Sequence, residues 1–141
     1  MPYATQTDII DAYGIDLLSV VADRDGNGEI DSTAVERGLA SASSIIDAHV
    51  LARHPAPWPE VPELVRNLCV DIAVYQMSGE GRGLTDERRR RYEDALSLLR
   101  RVADGKADLG LPSSPSAPVR AGAVVVSGER RRFTRSSLRG M

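Results

Sequence analysis

Cysteine and histidine are scarce in this chain of 141 residues, which has one cysteine, Cys69, and two histidines, His49 and His54. A single cysteine excludes an internal disulfide and a zinc site built from several thiolates. Two histidines leave few ligands for any other transition-metal centre. The fold must therefore be stabilised mainly by its hydrophobic core.

Aromatic residues are also scarce, at 4% of the chain against 42% for all hydrophobic residues. The core must be built from Leu, Val, Ile and Ala, a composition typical of packed helices. The length predicts one domain, or one domain with an appendage. A domain of about 150 residues buries roughly two thirds of the surface that its unfolded chain exposes, so a real core can form.

Long apolar runs are missing as well, since none approaches the roughly 20 residues needed to span a bilayer. The first ten residues lack the basic region and the uninterrupted apolar stretch of a secretory signal. We therefore expect neither membrane insertion nor export.

Charge is unevenly distributed along the chain, although the formal net charge is -2. Residues 1–111 contain 12 Lys and Arg against 19 Asp and Glu, a net charge of -7. Residues 112–141 contain six Arg against one Glu, a net charge of +5. An acidic body with a basic tail predicts that the tail binds an acidic surface on nucleic acid, on another protein or on another copy of the body.

The spacing of apolar residues predicts an all-α fold of about five helices in a compact bundle. Two short helices come first: Thr5 caps one that ends at Gly14, and Asp16 caps a second over residues 17–21. These two elements are each about two turns long.

Three longer helices follow. Thr33 and Glu36 form a capping box for a helix that stops near His54, before a proline-rich connector in which Trp58 covers the core. Residues 62–78 are apolar around most of the helix circumference, which predicts the central helix. The last helix begins at a cap on Thr85, and Gly105 ends it; its predicted buried stripe is Tyr92, Ala95, Leu96, Leu99 and Ala103.

Beyond Leu111 the helical periodicity ends. The sequence predicts three parts: a helical body at 1–111, a Pro/Ser linker at 112–119 and a basic C-terminal arm at 120–141. The arm is predicted to be extended and to contain a short β-strand at Val124, Val125 and Val126.

The loop that follows the second helix has the alternating oxygen donors of an EF-hand calcium loop. Its candidate ligands are Asp23, Asp25, Asn27, Glu29 and Asp31. Position twelve, where a bidentate Glu is expected, is occupied by Ala34. Two interpretations stay open: a weakly bound Ca²⁺, or a turn whose side chains bond their own backbone.

No constellation of catalytic residues is recognisable in the sequence, so we do not predict an enzyme. We predict no cofactor, and a weakly bound Ca²⁺ is the one ligand that the loop leaves open. Cys69 lies in the most apolar helix, where a packed, inert thiol is expected. Asp71 in the same helix is expected to pair with Arg66 or with an arginine of the last helix.

Two groups of arginines differ in their surroundings. Arg88 to Arg91 have acidic residues four positions away, as in Glu87 with Arg91, Arg89 with Glu93 and Arg90 with Asp94, which predicts a solvated face. The arm arginines have one acidic neighbour, Glu129, so we expect them to bind an external partner. The predicted interface residues are Val124, Val125, Val126, Arg130, Arg131, Arg132, Phe133, Arg135, Leu138 and Arg139.

Several segments, in this order, resemble the head-to-tail connector (head-completion) proteins of Mu-like prophages. The matching residues are Tyr3 to Gln6 with Asp8 to Ile10, residues 23–31, the 66–75 helix with Asp71, Ile72 and Ala73, residues 91–96, and Arg132 to Arg135 with Leu138 to Gly140. They span nearly the whole chain.

The resemblance implies a non-enzymatic virion protein, assembled in the host cytoplasm and located at the head-tail interface. It implies a ring of copies, commonly twelve, that joins the portal to the tail and continues the DNA channel. The implied partners are other copies of the chain, the portal protein, a tail-terminator or tail-completion protein, and DNA that passes without specific binding; no membrane is implied. An alternative from the residues themselves is a nucleic-acid-binding accessory protein that uses the Arg-rich tail.

Overall fold

The computed structural model describes residues 1–79 and 83–111, which form five α-helices and no strands. The helices are α1 (Gln6–Tyr13), α2 (Ile15–Ala22), α3 (Ser32–Val50), α4 (Glu63–Ser78) and α5 (Asp86–Ala103). The prediction of a five-helix body is confirmed. The predicted linker, and the arm with its strand, lie outside the described residues.

Helix α4 is the centre of the body, as its composition predicts. It contacts each of the other four helices, and eight of its 16 residues are buried: Val65, Leu68, Cys69, Val70, Ile72, Ala73, Val74 and Ser78. Burial on several sides requires apolar residues around most of the circumference, so the continuous pattern of 63–78 follows directly from its position.

Helices α3 and α4 approach each other closely at Gly38. A Cβ atom placed on this buried glycine would lie 2.9 Å from Cγ of Met77 and 3.7 Å from the carbonyl oxygen of Ala73. Gly38 therefore leaves the space that the Met77 side chain occupies. The contact aligns the two long helices that form the largest part of the core.

The first two helices are joined by a single residue, Gly14. Thr5 caps α1 as predicted: its hydroxyl accepts from the amide of Asp8, and the Asp8 carboxylate accepts from the amide of Thr5 at 2.7 Å. Gly14, at φ 86°, both ends α1 and precedes α2. The prediction that Asp16 caps α2 is wrong, because α2 starts at Ile15 and Asp16 lies in its first turn.

The start of α3 also differs from the prediction. The N-cap is Asp31, whose carboxylate accepts from the amides of Thr33 and Ala34 at 2.9 and 3.3 Å. The amide of Asp31 donates to the carbonyl of Ala22, which ties the end of α2 to this cap. Asp31 takes the cap position predicted for Thr33, so Thr33 and Glu36 do not form a capping box.

The other caps and the connector largely follow the sequence. Thr85 caps α5, but the buried stripe of that helix is Ala95, Leu99 and Val102, whereas the predicted Ala103 is exposed. Trp58 stacks on Tyr3 with ring centroids 4.8 Å apart, and its indole N–H donates to the carbonyl of His54. The prediction that Trp58 folds back over the core is confirmed.

We expect Asp31→Ala to lower the free energy of unfolding by about 0.5–2 kcal/mol, because it removes the cap of the longest helix. Thr33→Ala should change it by less than about 0.5 kcal/mol, as for an exposed residue without a capping role. Urea denaturation of both variants measures the difference. An equal loss in the two variants would contradict the assignment of Asp31 as the cap.

Candidate functional site

The loop between α2 and α3 is organised by the carboxylate of Asp23. It accepts hydrogen bonds from the backbone amides of Gly26 at 2.6 Å, Asn27 at 3.1 Å and Gly28 at 2.9 Å. The chain can turn this tightly because Gly26 and Gly28 adopt φ of 71° and 81°, which are accessible to glycine without strain.

The other predicted calcium ligands have different roles in the same loop. The side-chain oxygen of Asn27 accepts from the amide of Glu29 at 2.8 Å, and Asp31 caps α3. All five predicted residues line one small cleft of about 210 Å³. Among the described residues, no group of three or more His, Cys, Asp or Glu side chains is arranged to hold a metal ion.

This geometry is that of a turn bonded to its own backbone, which is one of the two interpretations of the sequence. Oxygens of Asp23, Asn27 and Asp31 already accept backbone N–H groups. A cation would have to share these acceptors with the backbone amides. The calcium site stays a prediction, which a comparison of melting temperatures with and without Ca²⁺ can test.

A second polar cluster joins helices α1, α4 and α5. The hydroxyl of Tyr13 on α1 donates to the carboxylate of Asp71 on α4 at 2.5 Å. Arg91 on α5 donates to the same hydroxyl oxygen at 3.4 Å, and its guanidinium lies 5.4 Å from the centre of the Tyr13 ring. We call these three residues the tyrosine cluster.

The tyrosine cluster corrects the prediction for Asp71. Its hydrogen-bond partner is Tyr13, and the arginine of the last helix reaches it through the tyrosine hydroxyl instead of directly. In the same pair of helices, the ring of Tyr75 on α4 stacks on the ring of Tyr92 on α5, with centroids 4.0 Å apart. This stacking is a second contact between α4 and α5. Helical periodicity places Tyr13 on a buried face, but it does not identify its partner 58 residues away.

Burial and the hydrogen bond to Asp71 raise the pKa of Tyr13 to about 12, against a lowering contribution from Arg91. The phenol therefore keeps its proton at neutral pH, and its O–H donates a hydrogen bond to the Asp71 carboxylate. The arrangement suits a structural contact better than proton transfer, because a group with so high a pKa is a poor acid or base at pH 7.

The thiol of Cys69 is packed in the core, as predicted. Cys69 is fully buried, and burial raises the pKa of its thiol, so the reactive thiolate is disfavoured. Its sulfur lies 3.5 Å from the hydroxyl oxygen of Ser43. His49 bonds through Nδ1 to the carbonyl of Ile45, and His54 is buried in the turn that follows α3.

The arginine-rich turn of α5 confirms one of its three predicted ion pairs. Arg91 and Glu87 are 2.9 Å apart. The pairs of Arg89 with Glu93 and of Arg90 with Asp94 do not come within 4.0 Å in the described part of the chain. Arg89 and Arg90 are exposed, which agrees with a solvated face.

Two clefts flank the beginning of α1. The acidic cleft, of about 460 Å³, lies between α1 and the start of α4 and is lined by Asp8, Asp11, Ala12, Glu60, Val61, Glu63, Arg66 and Asn67. The N-terminal groove, of about 470 Å³, lies between the first residues and α3 and is lined by Pro2, Ala4, Thr5, Gln6, Val35, Glu36, Leu39 and Ala40. The helical periodicity of the sequence does not indicate either cleft.

The ten interface residues predicted in the arm, from Val124 to Arg139, lie outside the described residues. The five predicted calcium ligands line one cleft, but their carboxylates are not arranged to hold a metal ion in the described part of the chain. The predicted interface is not tested by the structure. No helix in the described ranges is both long and apolar enough to cross a membrane.

Comparison with known proteins places these features in a family. The family described as Bacteriophage Mu, Gp36 matches residues 3–127, a range that contains all five helices of the described body. The chain belongs to this phage Mu Gp36 family. It is also 32% identical over 109 residues to the Mu-like prophage FluMu protein gp36 of Haemophilus influenzae, an alignment that covers 77% of this chain and 76% of that protein.

Membership in the Gp36 family confirms the resemblance to Mu-like phage proteins. The match begins at Tyr3 and continues past the last described residue into the linker and the valine run. It ends before the arginine-rich residues 130–139. Those arginines must therefore be interpreted from their own chemistry.

For the loop, we expect Asp23→Ala in the presence of a chelator to lower the free energy of unfolding by about 1–3 kcal/mol, because backbone amides lose a charged acceptor. Asp25→Ala is the matched control, since the Asp25 side chain is exposed and accepts none of the loop's hydrogen bonds. It should be almost neutral. Equal losses in chelator would contradict the self-bonded turn.

Millimolar Ca²⁺ separates the two interpretations of the loop. A cation that binds the native state raises the melting temperature with its concentration. If the loop binds Ca²⁺, the wild-type protein melts higher in Ca²⁺ than in chelator and Asp25→Ala removes that difference. The self-bonded turn predicts the same melting temperature in both.

For the tyrosine cluster, we expect stability to fall as the pH rises from about 10 toward 12. The pKa of Tyr13 is raised to about 12 in the folded state from 10.0, so the folded protein binds the proton more tightly than the unfolded chain. This contribution is complete below pH 10 and is lost through the folded pKa. Burial and the hydrogen bond to Asp47 also raise the pKa of Tyr3, which acts in the same direction.

Urea denaturation at pH 8 to 11.5 measures this slope. Tyr13→Phe should make it shallower, because the variant lacks the phenol that titrates. Tyr75→Phe, which removes a hydroxyl outside the tyrosine cluster, should retain the wild-type slope. A Tyr13→Phe variant with an unchanged slope would contradict the role of this phenol.

Proposed function

We propose that the chain is a non-enzymatic structural protein of the virion that forms a ring between the portal of the phage head and the tail. The observation that carries the proposal is membership in a phage Mu family by a chain with an acidic helical body and a basic tail. The ring would continue the DNA channel, with other copies of the chain, the portal and a tail-terminator or tail-completion protein as its neighbours. Assembly would take place in the host cytoplasm.

The closed core of the body supports a role as a building block. The core of buried apolar residues extends from Ala4 to Leu111, and no buried side-chain polar atom in the described ranges lacks a hydrogen-bond partner. Such a body needs no neighbour to fold. We therefore expect a monomer or small oligomer in isolation, and a ring of about twelve copies, as the family resemblance implies, on a portal template.

The charge of the body supports its place around a DNA channel. Four carboxylates, those of Asp8, Asp11, Glu60 and Glu63, line the acidic cleft with one arginine. A wall of like charge repels phosphates, so DNA can pass without specific binding. This is the property that a conduit requires.

The arm is proposed to hold neighbouring subunits together. Its arginines, Arg130 to Arg132, Arg135 and Arg139, would pair with carboxylates of an adjacent body or of the portal. The Val124 to Val126 run would add a strand to a partner's sheet. The described part of the body contains helices alone, so that sheet would belong to the portal, a tail protein or other arms.

The second candidate is a nucleic-acid-binding accessory protein, which the five arginines between 130 and 139 favour. Its binding would weaken steeply with salt, because each phosphate contact releases counterions. A DNA mobility shift by the intact protein that falls with salt and is lost on deletion of residues 120–141 supports this function. The connector predicts no such shift at physiological salt.

We expect a phage that lacks this chain to produce DNA-containing heads and tails that do not join, as seen by negative-stain electron microscopy. The full chain should restore joining, and a chain without residues 120–141 should not. Lys106→Ala is the control, because it removes a charge of the exposed Lys106–Asp104 pair on the body. Joined particles formed without the chain would contradict the connector function.

A further inference from the structure

The N-terminal groove is a preformed concave surface. One wall is the segment before α1, which is fixed because the amide of Tyr3 donates to the hydroxyl of Ser43 at 3.0 Å and Thr5 caps α1. The other wall is the first half of α3, whose Val35 and Leu39 are buried in the core. Two anchored walls keep the groove open without a ligand.

The lining of the groove indicates the chemistry of its occupant. Pro2, Ala4, Val35, Leu39 and Ala40 make it largely apolar, and its volume of about 470 Å³ is sufficient for a large side chain and its neighbours. The carboxylate of Glu36 is exposed beside it. An apolar anchor next to cationic groups fits this combination.

Outside the described residues, the segment 130–139 combines two apolar anchors, Phe133 and Leu138, with five arginines, and Phe133 is the larger anchor. Phe133, the single phenylalanine of the sequence, lies between Arg132 and Arg135. We propose that in the unassembled protein the Phe133 segment binds the N-terminal groove of its own chain, with its arginines toward Glu36. The arm would leave this groove when a neighbouring subunit or the portal offers a larger contact.

The length of the arm allows this intramolecular contact. A body of about 110 residues has a radius of gyration near 13 Å, so the path around half of it is about 50 Å. The 22 residues from 112 to 133 can extend up to about 73 Å. The segment can therefore reach the groove from any point on the surface of the body.

Intramolecular binding is favoured over binding to a second free copy. A tethered segment has an effective concentration in the millimolar range when its length matches the span. The body, with a net charge of -7, also attracts the tail of the same chain, with a net charge of +5, at low ionic strength. Before assembly the contact covers an apolar anchor and five arginines, which limits association with unrelated partners.

Disulfide trapping in the isolated full chain tests the proposal. Ala40→Cys places a thiol in the groove and Thr134→Cys places one beside Phe133, while Cys69 is fully buried. The control pair is Ala48→Cys with Thr134→Cys, because Ala48 is exposed on the same helix outside the groove. Oxygen with a copper–phenanthroline catalyst forms the disulfide, which non-reducing electrophoresis detects.

We expect the Ala40 pair to form an intramolecular disulfide at least about tenfold faster than the Ala48 pair, at a rate that does not change on dilution. Adding Phe133→Ser, or Glu36→Arg, should remove most of that difference. Equal rates for the two pairs, or linkage that occurs solely between chains and falls on dilution, would overturn the proposal.

The proposal rests on the arm of the proposed connector, but its test needs neither a portal nor a particle. Failure of disulfide trapping would overturn the contact with the groove and leave the connector function in place. Joined virions formed without the chain would overturn the connector function and leave the trapping result unaffected.

Discussion

Burial of α4 on several sides is the constraint on which the rest of the structure depends. Each other helix packs against it, so a polar group at a half-buried position of α4 needs a partner within the bundle. Of the two carboxylates in this helix, Glu63 is exposed and Asp71 is half-buried, and the partner of Asp71 is Tyr13 of α1. The hydrogen bond fixes the rotation of α4 relative to α1, and Arg91 extends the contact to α5. The half-buried carboxylate of Asp71 thereby helps to align three helices.

Helices α1 and α2 connect this core to the acidic cleft, the N-terminal groove and the Asp23 loop. Thr5 and Asp8 close the first turn of α1, which places Asp8 and Asp11 in the acidic cleft and Pro2 and Gln6 in the N-terminal groove. The end of α2 leads into the Asp23 turn, and the amide of Asp31 returns to Ala22. Local caps therefore position the residues that line these surfaces. The packing of the core sets the distance between one surface and the next.

Charge segregation gives the described body and the arm different roles in the proposed connector. The body carries excess carboxylates that repel DNA, whereas the arm carries the groups that attract an acidic protein surface. Because both parts belong to one chain, the proposed attraction would act within a subunit before assembly and between subunits afterwards. Under this proposal, assembly would require a partner surface that binds the arm better than the groove of its own body.

The sequence by itself determined the class of fold, the order of the helices, the central position of α4 and the caps at Thr5 and Thr85, because these depend on periodicity and on contacts within a few residues. It also determined the family. Its prediction of Thr33 as the cap of α3 was wrong, because Asp31 takes that position and its amide is bonded to the carbonyl of Ala22. The partner of Asp71 and the walls of the N-terminal groove were decided by the tertiary structure alone, because they join residues that are about 30 to 60 positions apart and no local pattern encodes such distances.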